Sequence, residues 1–145
     1  MSKLVLRTFW ILVLFATGVI GGCSGKTSSP ANPTVVSTTP ARGTINASLA
    51  QVITATFSQA MNLTTITSST FTLTGPGGVA IPGAVTSVGT TSSFTPTLPL
   101  DLGTVYTATI TTGVQDTLGH ALLANMVWTF TTGTIPTVTD RTSVV

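Results

Sequence analysis

The chain has 145 residues, with five Lys or Arg against three acidic residues, all Asp, for a formal net charge of +2. That length suits one domain with one core, and the sparse, scattered Lys and Arg exclude a nucleic-acid face, which needs them clustered. The single cysteine, Cys23, excludes an internal disulfide, and one Cys with one His is too little for a metal site.

Residues 1–22 have the three parts of an export signal. Lys3 and Arg7 precede an apolar run from Phe9 to Ile20, and Gly21-Gly22 supply the small residues of a cleavage site. The run falls short of the about 18 apolar residues a spanning helix requires. Ile20-Gly21-Gly22-Cys23 resembles the bacterial lipobox, with Ile20 for the usual Leu and Gly21 for the usual Ala or Ser. The resemblance implies a diacylglycerol on the Cys23 sulfur, cleavage before Cys23 and acylation of the new amino group. The membrane is then a partner through the lipid, each buried CH₂ contributing about 0.8 kcal/mol. The competing reading is a secretory signal with an incidental cysteine, which leaves a free thiol on a soluble exported chain.

Residues 23–33 carry the lipidation cysteine and a tether. Ser24 to Pro33 is small, polar and aperiodic, with a reach of about 15–20 Å by random-coil scaling. Ser24, where an Asp would hold some lipoproteins at the inner membrane, points by resemblance to that sorting rule to the outer membrane. Without residues 1–22, Lys26, Arg42 and Arg141 balance Asp101, Asp116 and Asp140, so the mature chain is near neutral. Thr and Ser make up about a third of the sequence. Thr suits a pleated, half-wet surface and strong helix formers are scarce, so an all-β domain is expected over 34–133. With few Lys to guard strand edges, Pro and Gly near strand ends carry more of that protection.

From Thr34 the period is two. Ile53, Ala55 and Phe57 share one face, opposite Val52, Thr54 and Thr56. Phe71 and Leu73 lie opposite Thr70, Thr72 and Thr74. Tyr106, Ala108 and Ile110 alternate with Val105, Thr107, Thr109 and Thr111, and Met126, Trp128 and Phe130 with Val127, Thr129 and Thr131. Ser58 to Ile66 holds at most one helical turn, with Met61 and Leu63 directed inward. Turn signals at Pro40 to Gly43, Gly75 to Gly78, Pro82-Gly83, Gly89, Pro96, Pro99, Gly103, Gly113 and Gly119 divide the chain into about seven short strands, the pattern of an antiparallel sandwich.

Six segments carry a more specific resemblance: Phe57 to Asn62, Phe71 to Leu73, Phe94 to Pro96, Leu100 with Gly103 to Tyr106, Asp116 to Gly119, and Trp128 to Gly133. In order and spacing they resemble the SbsA-type bacterial Ig-like domain, with His120 where the turn after Asp116 commonly has Asn. The resemblance implies an Ig-like sandwich of exported and surface proteins, serving as a spacer or interaction module. Tyr106, just after a Gly-Thr turn, resembles a tyrosine corner, its hydroxyl capping a backbone group. Asp116 and Gly119 read as a tight turn, with Asp accepting backbone hydrogen bonds and Gly taking a positive φ.

Other chemistry finds little footing. Asp101, Asp116 and His120 fall in turn-like segments, and with so many hydroxyls a neighbouring Ser or Thr says nothing about nucleophilic catalysis. Calcium would need Asp101 and Asp116 to converge with backbone carbonyls. Asn46-Ala47-Ser48 and Asn62-Leu63-Thr64 match a glycosylation sequon, which in a bacterium is usually accidental. Thr-x-Thr pairs at Thr70, Thr107 and Thr129 offer regular hydroxyl and methyl rows, as on ice- or glycan-binding β proteins, although sheet twist works against a flat lattice. Ile135-Pro136-Thr137-Val138 echoes Asn32-Pro33-Thr34-Val35, so 134–145 is read as a tail or as the start of a truncated following unit. The expectation is a non-catalytic, lipid-anchored envelope protein with no cofactor, no metal and no nucleic-acid partner. It bears one Ig-like domain that spaces, adheres or binds a surface protein or glycan, the alternative being a glycan- or ice-binding domain that uses the Thr-rich sheet face or a loop end.

Overall fold

The computed structural model describes residues 31–134, and the expected signal, Cys23, most of the tether and the C-terminal tail lie outside them. Seven strands occur in this body: β1 Val35–Thr39, β2 Ile53–Phe57, β3 Phe71–Thr74, β4 Gly83–Val88, β5 Thr91–Pro96, β6 Val105–Ile110 and β7 Met126–Thr131. They form two antiparallel sheets, one of four strands in the order β1-β2-β5-β4 and one of three in the order β3-β6-β7. Among the described residues there is no α-helix, only 3-10 turns at Leu63–Thr65 and Pro76–Gly78. The all-β antiparallel sandwich expected from the period-two pattern is therefore the fold, with the two-sheet layout that the resemblance implied.

Alternation fixes which side of each strand meets the other sheet. Ile53, Ala55, Phe57 and Phe94 point inward from the first sheet, and Phe71, Leu73, Tyr106, Ala108, Ile110, Trp128 and Phe130 from the second; all are buried. Phe71 joins the layers, its ring centroid 5.9 Å from Phe94 across the gap and 6.2 Å from Trp128 in its own sheet. Removing each large apolar side chain from water contributes about 1.5–3 kcal/mol, which holds the sheets together without a disulfide.

The hairpin of β4 and β5 is less visible in sequence. Its register runs from Gly83↔Pro96 to Val88↔Thr91, around Gly89-Thr90. Ser92 takes an inward position on β5 and is only 1 % exposed, its hydroxyl bonded to that of Ser87 at 2.8 Å. Gly83 passes directly over Phe94: a Cβ there would lie 2.5 Å from the ring and 2.7 Å from the Thr95 carbonyl oxygen.

One inward assignment is corrected. Met61 is buried, but Leu63 is 47 % exposed. Asn62 Oδ1 accepts the Thr64 N–H and caps the 3-10 turn that begins at Leu63. The turn pushes Leu63 into solvent, and Ile66 beyond it drops into the core instead.

The first strand changes sheets. β1 pairs with β2, with a bulge between Val35 and Ser37. After the cis Thr39–Pro40 bond the chain crosses to the other layer, where 43–47 lies along the outer edge of β7 and Ala47 bridges Thr132 in parallel. Asn32 Nδ2 donates to the Ala121 carbonyl ahead of β7, while Gly133 lies two residues past its end. The chain thus enters and leaves the sandwich at opposite poles, separated by β7, or about 20 Å at strand rise.

Candidate functional site

The lipidation position, Cys23, lies outside the described residues. The other sequence candidates are placed directly. Asp101 is exposed at the pole where β6 begins and β7 ends: its N–H donates to the Tyr106 hydroxyl at 2.8 Å, and its carbonyl accepts the Thr132 hydroxyl. Asp116 sits at the far pole, bridged to Met61. The two carboxylates do not converge. Among the described residues no three His, Cys, Asp or Glu side chains gather as metal ligands would.

The Tyr106–Asp101 bond has the geometry expected of a tyrosine corner. The Tyr106 ring stacks on Phe130 at 5.9 Å, so the side chain joins core packing to a loop anchor.

Asp116, the only buried charged side chain among the described residues, gathers the other polar cluster. Oδ1 accepts the N–H groups of Leu118 and His120, both at 2.8 Å. Oδ2 lies 3.0 Å from His120 Nδ1 and accepts Gln59 Nε2 at 2.5 Å. Burial works to raise the Asp116 pKa, but the His120 side-chain hydrogen bond, the N–H groups of His120 and Leu118, and the charge of His120 outweigh it, so the carboxyl lies below its ordinary value. Gly119, at φ +89°, closes the turn, as the Asp-x-x-Gly spacing predicts.

Two hydrogen bonds to each oxygen leave this carboxylate little capacity as a base or ligand. The cluster also ties distant segments together. Gln59 Nε2 also donates to the Ala31 carbonyl at 3.2 Å, and Asn32 reaches Ala121, so the turn holds the incoming chain against the body. Sequence spacing gave the Asp116 turn. It did not give Gln59, 57 residues away in the chain, whose role depends on how the loops pack.

Open grooves lie on the surface of the described body. One of about 380 Å³ opens between the β3 and β4 edges, over Leu73, Ile81, Pro82 and Phe94. The Thr residues, in contrast, form rows across the strands. On the outer face of the three-stranded sheet Thr74, Thr107 and Thr129 align across the strands, and Thr72, Thr109 and Val127 form the next row.

A family model described as the bacterial Ig-like domain matches residues 29–132. No curated protein matches the chain. Among solved structures, domains 1–6 of the surface layer protein SbsC align with a TM-score of 0.54 at 23% identity, over 72% of this chain and 14% of that one. CopC from Methylosinus trichosporium OB3b aligns with a TM-score of 0.60 at 12% identity, over 71% of this chain and 95% of that one. The native E. coli alpha-2-macroglobulin aligns at 0.55 and 15% identity, over 74% of this chain and 6% of that one. At these identities the likeness is one of fold. The family match over most of the chain carries the assignment: the chain belongs to the bacterial Ig-like domain family.

Proposed function

We propose that this is an exported, lipid-anchored cell-envelope protein, held at the outer membrane through Cys23, whose Ig-like domain is a non-catalytic spacer or interaction module. The observation that carries the spacer role is the placement of Asn32 and Gly133 at opposite poles, which lets one folded unit extend a path outward from a membrane tether. The lipobox-like Ile20 to Cys23 supports the anchor, and the same fold within a surface layer protein supports the setting. The saturated Asp116 cluster supports a role without catalysis.

Labelling cells with an alkyne fatty acid, then fractionating them, tests the anchor. The native chain is expected to carry label and to leave the membrane pellet only with detergent, whereas Cys23→Ser is unlabelled and soluble. Label-free native protein would sink the anchor. An epitope placed after Thr134 tests the spacer: it should be reached by antibody on intact cells, and lose that access when 34–133 is deleted. Equal access in both would remove the spacer role.

A second reading is favoured by the aligned Thr rows of β3, β6 and β7, which offer a glycan or ice surface a regular array of hydroxyl and methyl groups. Thermal hysteresis and glycan-array binding of the purified domain, lost in Thr107→Lys, test it; neither signal in the native protein would end it.

A further inference from the structure

We propose that segment 43–47 and the end of β7 form a force-bearing clamp, which makes the domain resist extension along its own N-to-C direction. This goes beyond the spacer reading, since it concerns how the fold carries load and not where the protein resides.

The geometry comes from the sheet change of the first strand. Four backbone hydrogen bonds join the segment to β7 and the residues just after it: Gly43 N–H to the Thr129 carbonyl at 2.8 Å, Thr131 N–H to Thr44 at 2.8 Å, Ala47 N–H to Thr131 at 3.0 Å, and Gly133 N–H to Ala47 at 2.9 Å. Arg42 Nη2 adds a fifth, to the Val127 carbonyl. The pairing is parallel. Two residues in left-handed conformation, Gly43 at φ +76° and Asn46 at φ +60°, bend this segment so that its donors and acceptors keep facing β7.

Tension applied before Asn32 and after Gly133 draws 43–47 toward one pole and β7 toward the other. Parallel strands loaded from opposite ends slide along each other, and bonds lying across that motion share the load together. They do not open one after another, as in a hairpin pulled apart at its mouth. The antiparallel β1–β2 pairing is loaded lengthwise by the same pull, from Val35↔Phe57 onward. The chain therefore stitches both sheets at the point where load arrives. Forced unfolding reads the height of the unfolding barrier, so a clamp is visible in rupture force independently of equilibrium stability.

Single-molecule pulling on the mature chain, with handles on the tether and after Val145, tests this, with thermal melting in parallel. Thr131→Pro removes the N–H donated to Thr44, and Arg42→Ala removes a surface contact at little risk to folding. Val85→Ala serves as the comparison, since it weakens β4 packing away from the clamp. Thr131→Pro is expected to lower the rupture force by about one third to one half, and Arg42→Ala by less, while Val85→Ala lowers the melting temperature and leaves force within about a tenth of native. Should Thr131→Pro not fold, Arg42→Ala against Val85→Ala makes the same comparison. Rupture force that follows melting temperature across the variants, or that neither clamp variant changes, overturns the proposal.

Discussion

The Tyr106 hydroxyl accepts the Asp101 N–H at 2.8 Å while its ring stacks on Phe130, so one side chain couples the sandwich core to the loop before β6. Tyr106→Phe keeps the ring and removes only the acceptor. It is expected to cost about 1 kcal/mol, the typical net value of a hydrogen bond, in urea unfolding. In a chain beginning at Cys23 the only tryptophan is Trp128, so its fluorescence reports the transition without interference. A variant as stable as the parent would show that the corner adds no anchoring.

Gly83 is held by the closeness of Phe94. A methyl group at 2.5 Å from the ring forces strand or ring to move, and Gly83→Ala is expected to destabilise by about 1–3 kcal/mol, as overpacking does. Phe94→Leu in the same chain should recover part of that loss in a double-mutant cycle. Simple additivity would place the cause elsewhere.

Met61 and Leu63 are neighbours with opposite fates. Met61→Ala should cost about 2–4 kcal/mol because it leaves a cavity beside the Asp116 turn. Leu63→Ser should stay within about 0.5 kcal/mol, as substitutions at exposed sites do. Comparable losses from both would contradict their difference in burial.

Asp116 sets the acid limit of the fold. Its folded pKa lies below the ordinary value of 3.8, so its ionised form stabilises the native state above that pH, and the contribution disappears as pH falls through the folded value. The melting temperature should therefore drop in the acid range below about pH 4, where Asp carboxylates take up protons. Asp116→Asn should lower it at neutral pH and flatten the acid limb. An unchanged acid limb in that variant would assign the pH dependence to another group.

The central strands were open to reading because large apolar residues alternate with Thr: Ile53, Ala55 and Phe57, or Tyr106, Ala108 and Ile110, declare their face unaided. β4 and β5 did not, because Gly83 stands where an inward side chain would be and Ser92 fills an inward site with a hydroxyl whose partner, Ser87, appears only once the hairpin is folded. Leu63 misled for a local reason, since the Asn62 cap starts a turn that breaks the period. The Tyr106 corner and the Asp116–Gly119 turn were legible as motifs. Gln59 and the strip on β7 were not, since each joins segments far apart in the chain, and alternation within a strand carries no information about such pairings.

Among residues 31–134 only Arg42, Asp101 and Asp116 are formally charged, and the last is buried. Such a body projects almost no electrostatic field, so added salt has little to screen. Sodium chloride should be nearly silent for the domain's folding and encounters, while strongly excluded salts such as sulfate act through burial of apolar surface alone. In brackish or fluctuating surroundings, the folded unit would hold its shape over a wide span of ionic strength.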